Sequence, residues 1–293
     1  MNQSAAKRAL LILEHLTGRP SGVMLTELCE GLALPKSGAH RLLALLQDAG
    51  YVHQDAQTGR YALTLKLTML GLRHYVGTGL DDLAQPILDS LAVDTGELAR
   101  LAIVDGSRLV WVAKAQGARS GLRYDPDVDH DTGHDVVLHA TATGKAWLAT
   151  LPEAAALEIV GETNLRTPPR FGPRVARSLD QFAELLAETR RKGFGEAVEE
   201  GEPGTAAVAV AVFDTSSRQD GPAVATLSLA GPLFRFGSER RLEFAARLSR
   251  SARELGSIWP LTAPFTGQSE RRATMLTANT GSERRDERDT AAF

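Results

Sequence analysis

The chain has 293 residues, enough for two domains with separate cores, and its 43% apolar and 24% charged content belongs to a folded globular protein rather than a disordered or fibrous one. Its one cysteine, Cys29, excludes an intramolecular disulfide framework and a cysteine zinc site, and the lack of a long apolar run or a cleavable apolar leader makes a cytoplasmic protein without a membrane partner the expectation. The net charge of -3 hides an asymmetry, because residues 1–75 carry eight Lys and Arg against five Asp and Glu, which marks that end for a polyanion partner.

A first helix is predicted from Ser4, whose hydroxyl can cap it, through AAKRALLILEHL, where apolar residues recur at helical spacing. GRPSG breaks it. Thr26 is the candidate cap of a second helix, ELCEGLAL, with Glu27 and Glu30 in its early turns. After a short turn at Leu34, PKSGAHRLLALLQDAG reads as a third helix, with Pro35 suited to a first turn and Gly50 to the position just past a helix end. Wound at about 3.6 residues per turn, it gathers Lys36, Ser37, His40, Arg41, Ala44, Gln47 and Asp48 on one side. Ala39, Leu42, Leu43, Leu45, Leu46 and Ala49 fall on the other. YVHQDAQTGRYALT follows as two short strands around a turn at Gln57, Thr58 and Gly59. Three helices and a hairpin outline a winged helix-turn-helix over residues 4–63, whose third helix enters the DNA major groove.

Residues 64–79 read as a helical connector, and residues 80–261 as a second domain. That domain opens with the amphipathic DDLAQPILDSLAVDTG, followed by strand candidates at 98–104 and 109–115 and by the acidic loop SGLRYDPDVDHDTGHDV. TATGKAWLATL, residues 153–160 and SLDQFAELLAETRRKG read as helices. The strand candidates AAVAVAVF and AVATLSLA flank the turn-rich DTSSRQDGP, and SERRLEFAARLSRSARELGSIW closes the domain as a helix. Helices mixed with hairpins predict an α+β fold rather than a doubly wound parallel sheet. Residues 262–293 lose periodicity and read as a disordered tail.

The chemistry of the third helix suits DNA. Lys36 and Arg41 can neutralise phosphates, Arg41 can also take guanine bidentately, and Ser37, His40 and Gln47 can bond base edges. Thr26 at a helix start can aim N–H groups and its hydroxyl at phosphate, and Arg60, placed at the hairpin tip, can touch the backbone or minor groove. For this helix taken alone, a merely solvated basic face is the competing reading.

The run LTELCEGLALPKSGAHRLLALLQDAGYVHQDAQTGRYAL resembles the DNA-binding domain of the IclR family of bacterial transcription regulators. LHATATGKAWLATL, GEPGTAAVAVAVFD and ATLSLAGP resemble, in order, motifs of that family's GAF-like α+β effector-binding domain, so the likeness spans about residues 5–260. Gly38 stands where the family commonly has threonine, and Ala207 and Ala211 stand where many members have Cys and Pro, which removes that thiol from any ligand mode. The resemblance implies a regulator of double-stranded operator DNA, with a small-molecule effector and a homodimeric or dimer-of-dimers assembly. It places effector contacts at Leu138, His139, Ala140, Thr141, Ala142, Thr143 and Gly144 and at Glu200, Gly204 and Ala207. A helix start near Thr141 could present N–H groups and the Thr141 and Thr143 hydroxyls to a carboxylate, and Arg123 could clamp it. Thr141 as a simple cap, Ala207 as packing and Arg123 as a surface residue are the bland alternatives.

Asp127, Asp129, His130, Asp131, His134 and His139 are close enough in sequence to raise a metal, but they specify no tetrahedral set, and no metal or cofactor is assigned. The competing class is a GAF-like enzyme or metabolite-binding module, with Glu199 and Glu200 as acid-base candidates. GxSxG, P-loop and HExxH patterns are absent, so no catalytic residue is assigned. A single head reads few bases, which calls for two heads on a pseudo-palindrome. Leu10, Leu13, Leu16, Leu67 and Leu70 are candidate contact residues between copies, with packing inside the chain as the alternative.

Overall fold

The computed structural model describes residues 4–119, 121–126, 132–162, 165, 171–214 and 223–259. The expected tail at 262–293, the connection at 215–222 and the metal candidates Asp127, Asp129, His130 and Asp131 lie outside them. Two compact units divide between Gly77 and Thr78.

In the first unit α1 spans Ala5–Thr17, α2 Leu25–Leu32 and α3 Lys36–Asp48, followed by the antiparallel pair β1, Val52–Gln54, and β2, Tyr61–Leu63. Ser4 Oγ accepts from Lys7 N at 3.3 Å and starts α1 as its sequence predicts. The start of α2 corrects the expectation for Thr26. Met24 is the cap residue, and the Glu27 carboxylate accepts its backbone N–H at 2.8 Å, which leaves Thr26 exposed in the first turn. This is one half of the usual reciprocal box: the Glu27 carboxylate takes the Met24 N–H, while Met24 carries no side-chain oxygen to take the N–H of Glu27.

The turn between α2 and α3 carries Ala33 in the left-handed region, with φ 49°, and the Leu34 N–H closes onto Cys29 O at 3.0 Å. α3 begins one residue later than expected, with Pro35 extended before it, and Gly50 follows its end at φ +76°. Ile12, Leu16, Leu28, Leu43, Val52 and Tyr61 form the centre of one core that all three helices and the hairpin share. The apolar side of α3 is narrower than its sequence suggests. Ala39, Leu42, Leu43 and Leu46 are buried, whereas Leu45 is 59% exposed and Ala49 is exposed as well. Leu45 lies half a turn from Lys36, on the flank next to Arg41.

Gly38 also sits in α3, and a Cβ there would meet nothing within 4 Å. Gly38→Ala is therefore expected to stabilise the first unit by about 1 kcal/mol through helix propensity. Its thermal midpoint should rise, and an unchanged or lower midpoint would contradict a free helical position.

α4, Lys66–Gly77, has no buried residue, and Leu65 beside it, Met69, Leu72 and Val76 are exposed. Its first turn is fastened to the end of α3: Lys66 Nζ donates to Ala49 O at 2.6 Å and lies 4.8 Å from the Tyr51 ring centroid.

The second unit begins with α5, Leu80–Thr95, and the hairpin β3, Leu98–Asp105, with β4, Arg108–Gln116. α6 is Ala142–Leu148, α7 Glu153–Glu162 and α8 Leu179–Lys192; then come β5, Gly195–Val198, β6, Thr205–Phe213, β7, Ala223–Pro232, and α9, Ser238–Ser257. The five strands pair antiparallel in the order β4-β3-β7-β6-β5, the α+β arrangement expected from the hairpin-rich pattern. β5 is the strand that the sequence reading lacked. α5 and α9 pack on one sheet face, while α6 lies on β5, β6 and β7 from the other side with α8 against it. α6 comes so close because it faces small residues: Ala142 and Ala146 pack on Ala197 and Ala209, and a Cβ at Gly195 would strike the Ala142 carbonyl.

Candidate functional sites

The first site is the outer face of α3. Burial of Ala39, Leu42, Leu43 and Leu46 fixes the rotation of the helix, and this turns Lys36, Ser37, His40 and Arg41 outward together, all exposed. Gln47 is half-buried at the flank. Two cations, a hydroxyl, an imidazole and an amide on one helix supply phosphate neutralisation and base-edge donors and acceptors together.

Arg60 stands elsewhere than expected. The hairpin tip is built by Asp55, whose Oδ1 accepts from the backbone N–H groups of Gln57 and Thr58 and from the Thr58 hydroxyl at 3.0, 2.6 and 2.8 Å. The Thr58 bonds hold the Asp55 carboxyl below the usual carboxylate range. Arg60 lies behind this tip, 39% exposed at its side chain, and donates to Gly22 O at 2.8 Å with Glu27 Oε2 at 3.4 Å. Its guanidinium joins the hairpin to the start of α2.

The second site surrounds the start of α6. Leu138, His139 and Ala140 form a buried 3-10 turn, and Thr141 caps α6: its Oγ1 accepts from Gly144 N at 3.0 Å and donates to Val137 O at 2.9 Å. A Cβ at Gly144 would collide with the Leu138 carbonyl, so glycine lets the helix fold back onto the turn. Ala142, Thr143 and Gly144 are buried, and Ala207 packs beside Ala142. Gly204, at φ +71°, turns the chain from β5 into β6. The expectation of free helix N–H groups is thereby narrowed, since the cap already takes that of Gly144.

Glu200 is held by a residue that the sequence reading missed. Lys145 Nζ lies 2.7 and 2.8 Å from its two carboxylate oxygens, with Lys145 2% and Glu200 6% exposed. Burial pushes the Glu200 carboxyl up, against the pull of the Lys145 ammonium. The pair locks α6 to the turn between β5 and β6. His139 is also buried, with Nε2 unpartnered and its ring edge-on to Phe171; burial pushes its imidazole down, toward the neutral form.

Arg123 does not converge on this site. It is exposed and paired with Asp125 at 2.6 Å, an arrangement in which it is a surface residue rather than a clamp. His134 is exposed as well, apart from buried His139. Arg100, Thr226 and Ser228 are further buried polar residues, in β3 and β7.

A winged helix-turn-helix with a donor-rich third helix is carried in one chain with an α+β domain that buries polar groups under a helix, the outline of a DNA-binding regulator. Residues 5–56 match the IclR helix-turn-helix domain, and residues 74–257 match the bacterial transcriptional regulator IclR C-terminal domain. The HTH-type transcriptional regulator XynR of Escherichia coli K12 is 30% identical over 249 residues, covering 84% of this chain and 93% of XynR. A crystal structure of an IclR regulator from Silicibacter superposes with a TM-score of 0.72 at 21% identity, covering 88% of this chain and 96% of that one. Another, of an IclR homologue from Microbacterium hydrocarbonoxydans complexed with 4-hydroxybenzoate, gives 0.66 at 22% identity over 87% and 98%. The chain belongs to the IclR family: it is a transcriptional regulator, not an enzyme. Among the described residues no helix is long and apolar enough to cross a membrane.

Proposed function

We propose that this regulator reads operator DNA in the cytoplasm with Lys36, Ser37, His40, Arg41 and Gln47 of α3, supported by Thr26 and Arg60, and that a small organic acid or aromatic metabolite in its second domain adjusts that binding. The outward set of polar side chains on a helix whose rotation is fixed by its core carries the DNA reading. Lys36 and Arg41 supply affinity at phosphate, and Arg41 with Ser37 and His40 supplies choice at base edges.

Effector contacts are proposed at the 138–144 turn and helix start and at Glu200, Gly204 and Ala207. The 4-hydroxybenzoate held by the Microbacterium homologue agrees with an aromatic acid. The exposed apolar residues of α4, with Leu10 of α1, favour a second copy as the covering partner, giving a homodimer or a dimer of dimers on an inverted repeat. An effector changes operator affinity only by binding two arrangements of the protein unequally. α4 suits the role of mover because Lys66 fastens its first turn to the end of the reading helix.

Fluorescence anisotropy on a selected operator and on unrelated duplexes tests the assignment of Arg60. Arg60→Ala is expected to weaken binding by a similar factor on every duplex, since the residue holds the hairpin and is proposed to contact the DNA backbone or minor groove without reading base edges. It should also lower the stability of the first unit by about 1 kcal/mol, because the Gly22 carbonyl loses its donor. Loss confined to one base position would contradict this role. A metabolite that binds tightly yet leaves operator affinity unchanged would count against effector coupling.

A further inference from the structure

One edge of the second unit's sheet is covered for only part of its length. Glu199 N donates to Thr205 O at 2.9 Å and Leu233 N to Gly204 O at 2.8 Å, so the odd-numbered residues from Thr205 to Ala211 turn their backbone groups toward β5 and the even-numbered ones toward β7. The pairing of β5 starts at Gly195, opposite Ala209, because the chain just before it is still closing α8 at Gly193, φ +78°. Ala211 is the next residue out. Its N–H and carbonyl point past the start of β5 and meet no hydrogen-bond partner among the described residues, although the residue is half-buried. Folded chains ordinarily pair such groups.

A cavity of about 440 Å³ lies beside Ala211. Ala146 and Ala149 wall it from the α6 side, Ser249 and Ala252 of α9 wall it from the other, and Phe213, 41% exposed, lines it as well. With helices on both faces the gap admits a single extended segment and not the sheet of a second copy. α9 leads the chain to the same place: its Gly256 lies so close to the Phe213 carbonyl that a Cβ would strike it, and Trp259 is 3% exposed with its indole N–H unpartnered among the described residues.

The sequence continues as PLTAPF, residues 260–265, which lie outside the described residues. In an extended chain successive N–H groups alternate sides, which puts the missing donors of Pro260 and Pro264 on the same side as Thr262. Leu261, Ala263 and Phe265 keep every donor on the other side. A segment of this kind pairs along one edge only, as a strand that ends a sheet must.

We propose that residues 261–265 add an edge strand to this sheet, the N–H and carbonyl of Ala263 pairing with those of Ala211. A chain that leaves α9 beside Phe213 and runs back toward Ala211 lies antiparallel to β6. Ala209 packs on α6, so alternation puts Ala211 on that face too. Directly opposed residues share a face, which sets Leu261, Ala263 and Phe265 against Ala146 and Ala149, with Thr262 and Pro264 toward Ser249 and Ala252. The prolines turn outward and stop further pairing. A run with too little apolar surface to fold alone orders against a template, and here the template begins beside its own anchor, so little loop closure opposes it.

Backbone amide exchange of the full chain, read at single residues, tests this. Ala211 and Ala263 are expected to exchange about tenfold or more slowly than open amides. Ala263→Pro removes the donor that faces β6 and should release Ala211, Leu261 and Phe265 together. Thr262→Pro removes an outward donor and should leave Ala211 protected. Both substitutions lie beyond the cores of the two units, so circular dichroism should stay that of the parent. Fast exchange at Ala211 in the parent would mean that the edge stays open and would overturn the proposal. Slow exchange at Ala211 with fast exchange across 261–265 would give the edge to another occupant, a partner peptide or a small molecule, and would overturn it as well. So would equal effects of the two proline variants, since the pairing predicts that only one of them matters.

Discussion

Lys145→Ala is expected to destabilise the second unit by about 3–5 kcal/mol, because it leaves the Glu200 carboxylate buried without its cation. The tryptophan fluorescence of Trp147, two residues further along α6, reports this during denaturant unfolding. The two units need separate transitions in the fit, since a chain of two units has no single unfolding free energy. Lys145→Met combined with Glu200→Leu should recover most of the loss, because two apolar side chains of similar size remove both charges at once. A single Lys145→Ala loss below about 1 kcal/mol would mean that water reaches the pair in solution, as it does for exposed ion pairs. The double variant carries a second expectation. With α6 no longer tied by charge to the turn between β5 and β6, effector response should change even where stability is regained.

Arg41→Ala is expected to cost about 1–3 kcal/mol of operator binding for each lost bidentate base contact, and to relax preference at the contacted base pair. The residue is exposed on α3, beside Ser37 and His40, and the buried side of that helix leaves it no internal role. Competition between the selected operator and single-base variants shows the effect. Parent protein should discriminate at that pair, while the Arg41→Ala protein should bind the variants nearly alike. If Arg41→Ala and Arg60→Ala weaken all duplexes by the same factor, the assignment of base reading to Arg41 is wrong.

The reading helix was legible because its signals agree. A strong apolar period, Pro35 before it and Gly50 after it point to one element, and the core confirms the register. Leu45 was misplaced because the stripe of four leucines and two alanines drawn from helical spacing is wider than the arc that actually touches the core. Thr26 was misread for a different reason. Cap rules look for a hydroxyl or carboxyl at the cap itself, and here Glu27 satisfies the Met24 N–H from inside the helix.

In the second unit, β5 escaped notice because GEAV offers four residues and little alternation, and only its neighbour β6 makes it a strand. Lys145 sits in a run that reads as an ordinary helix, and its partner is 55 residues away in the chain. Arg100, Thr226 and Ser228 lie in strands whose apolar neighbours suggest simple core. Buried charges and hydroxyls of this kind run against composition rules, so only their register and burial reveal them. Sequence motifs led to Thr141 and Glu200, and the fold adds the cation that holds one and the cap bonds that occupy the other.

Selection of bound duplexes from a random pool by the purified full chain, with the salt dependence of the winner, tests the central claim most directly. The account predicts an enriched inverted repeat whose affinity falls steeply with salt, from two reading heads that each neutralise phosphates. Folded protein that enriches no sequence, with or without benzoate and propionate, would contradict it.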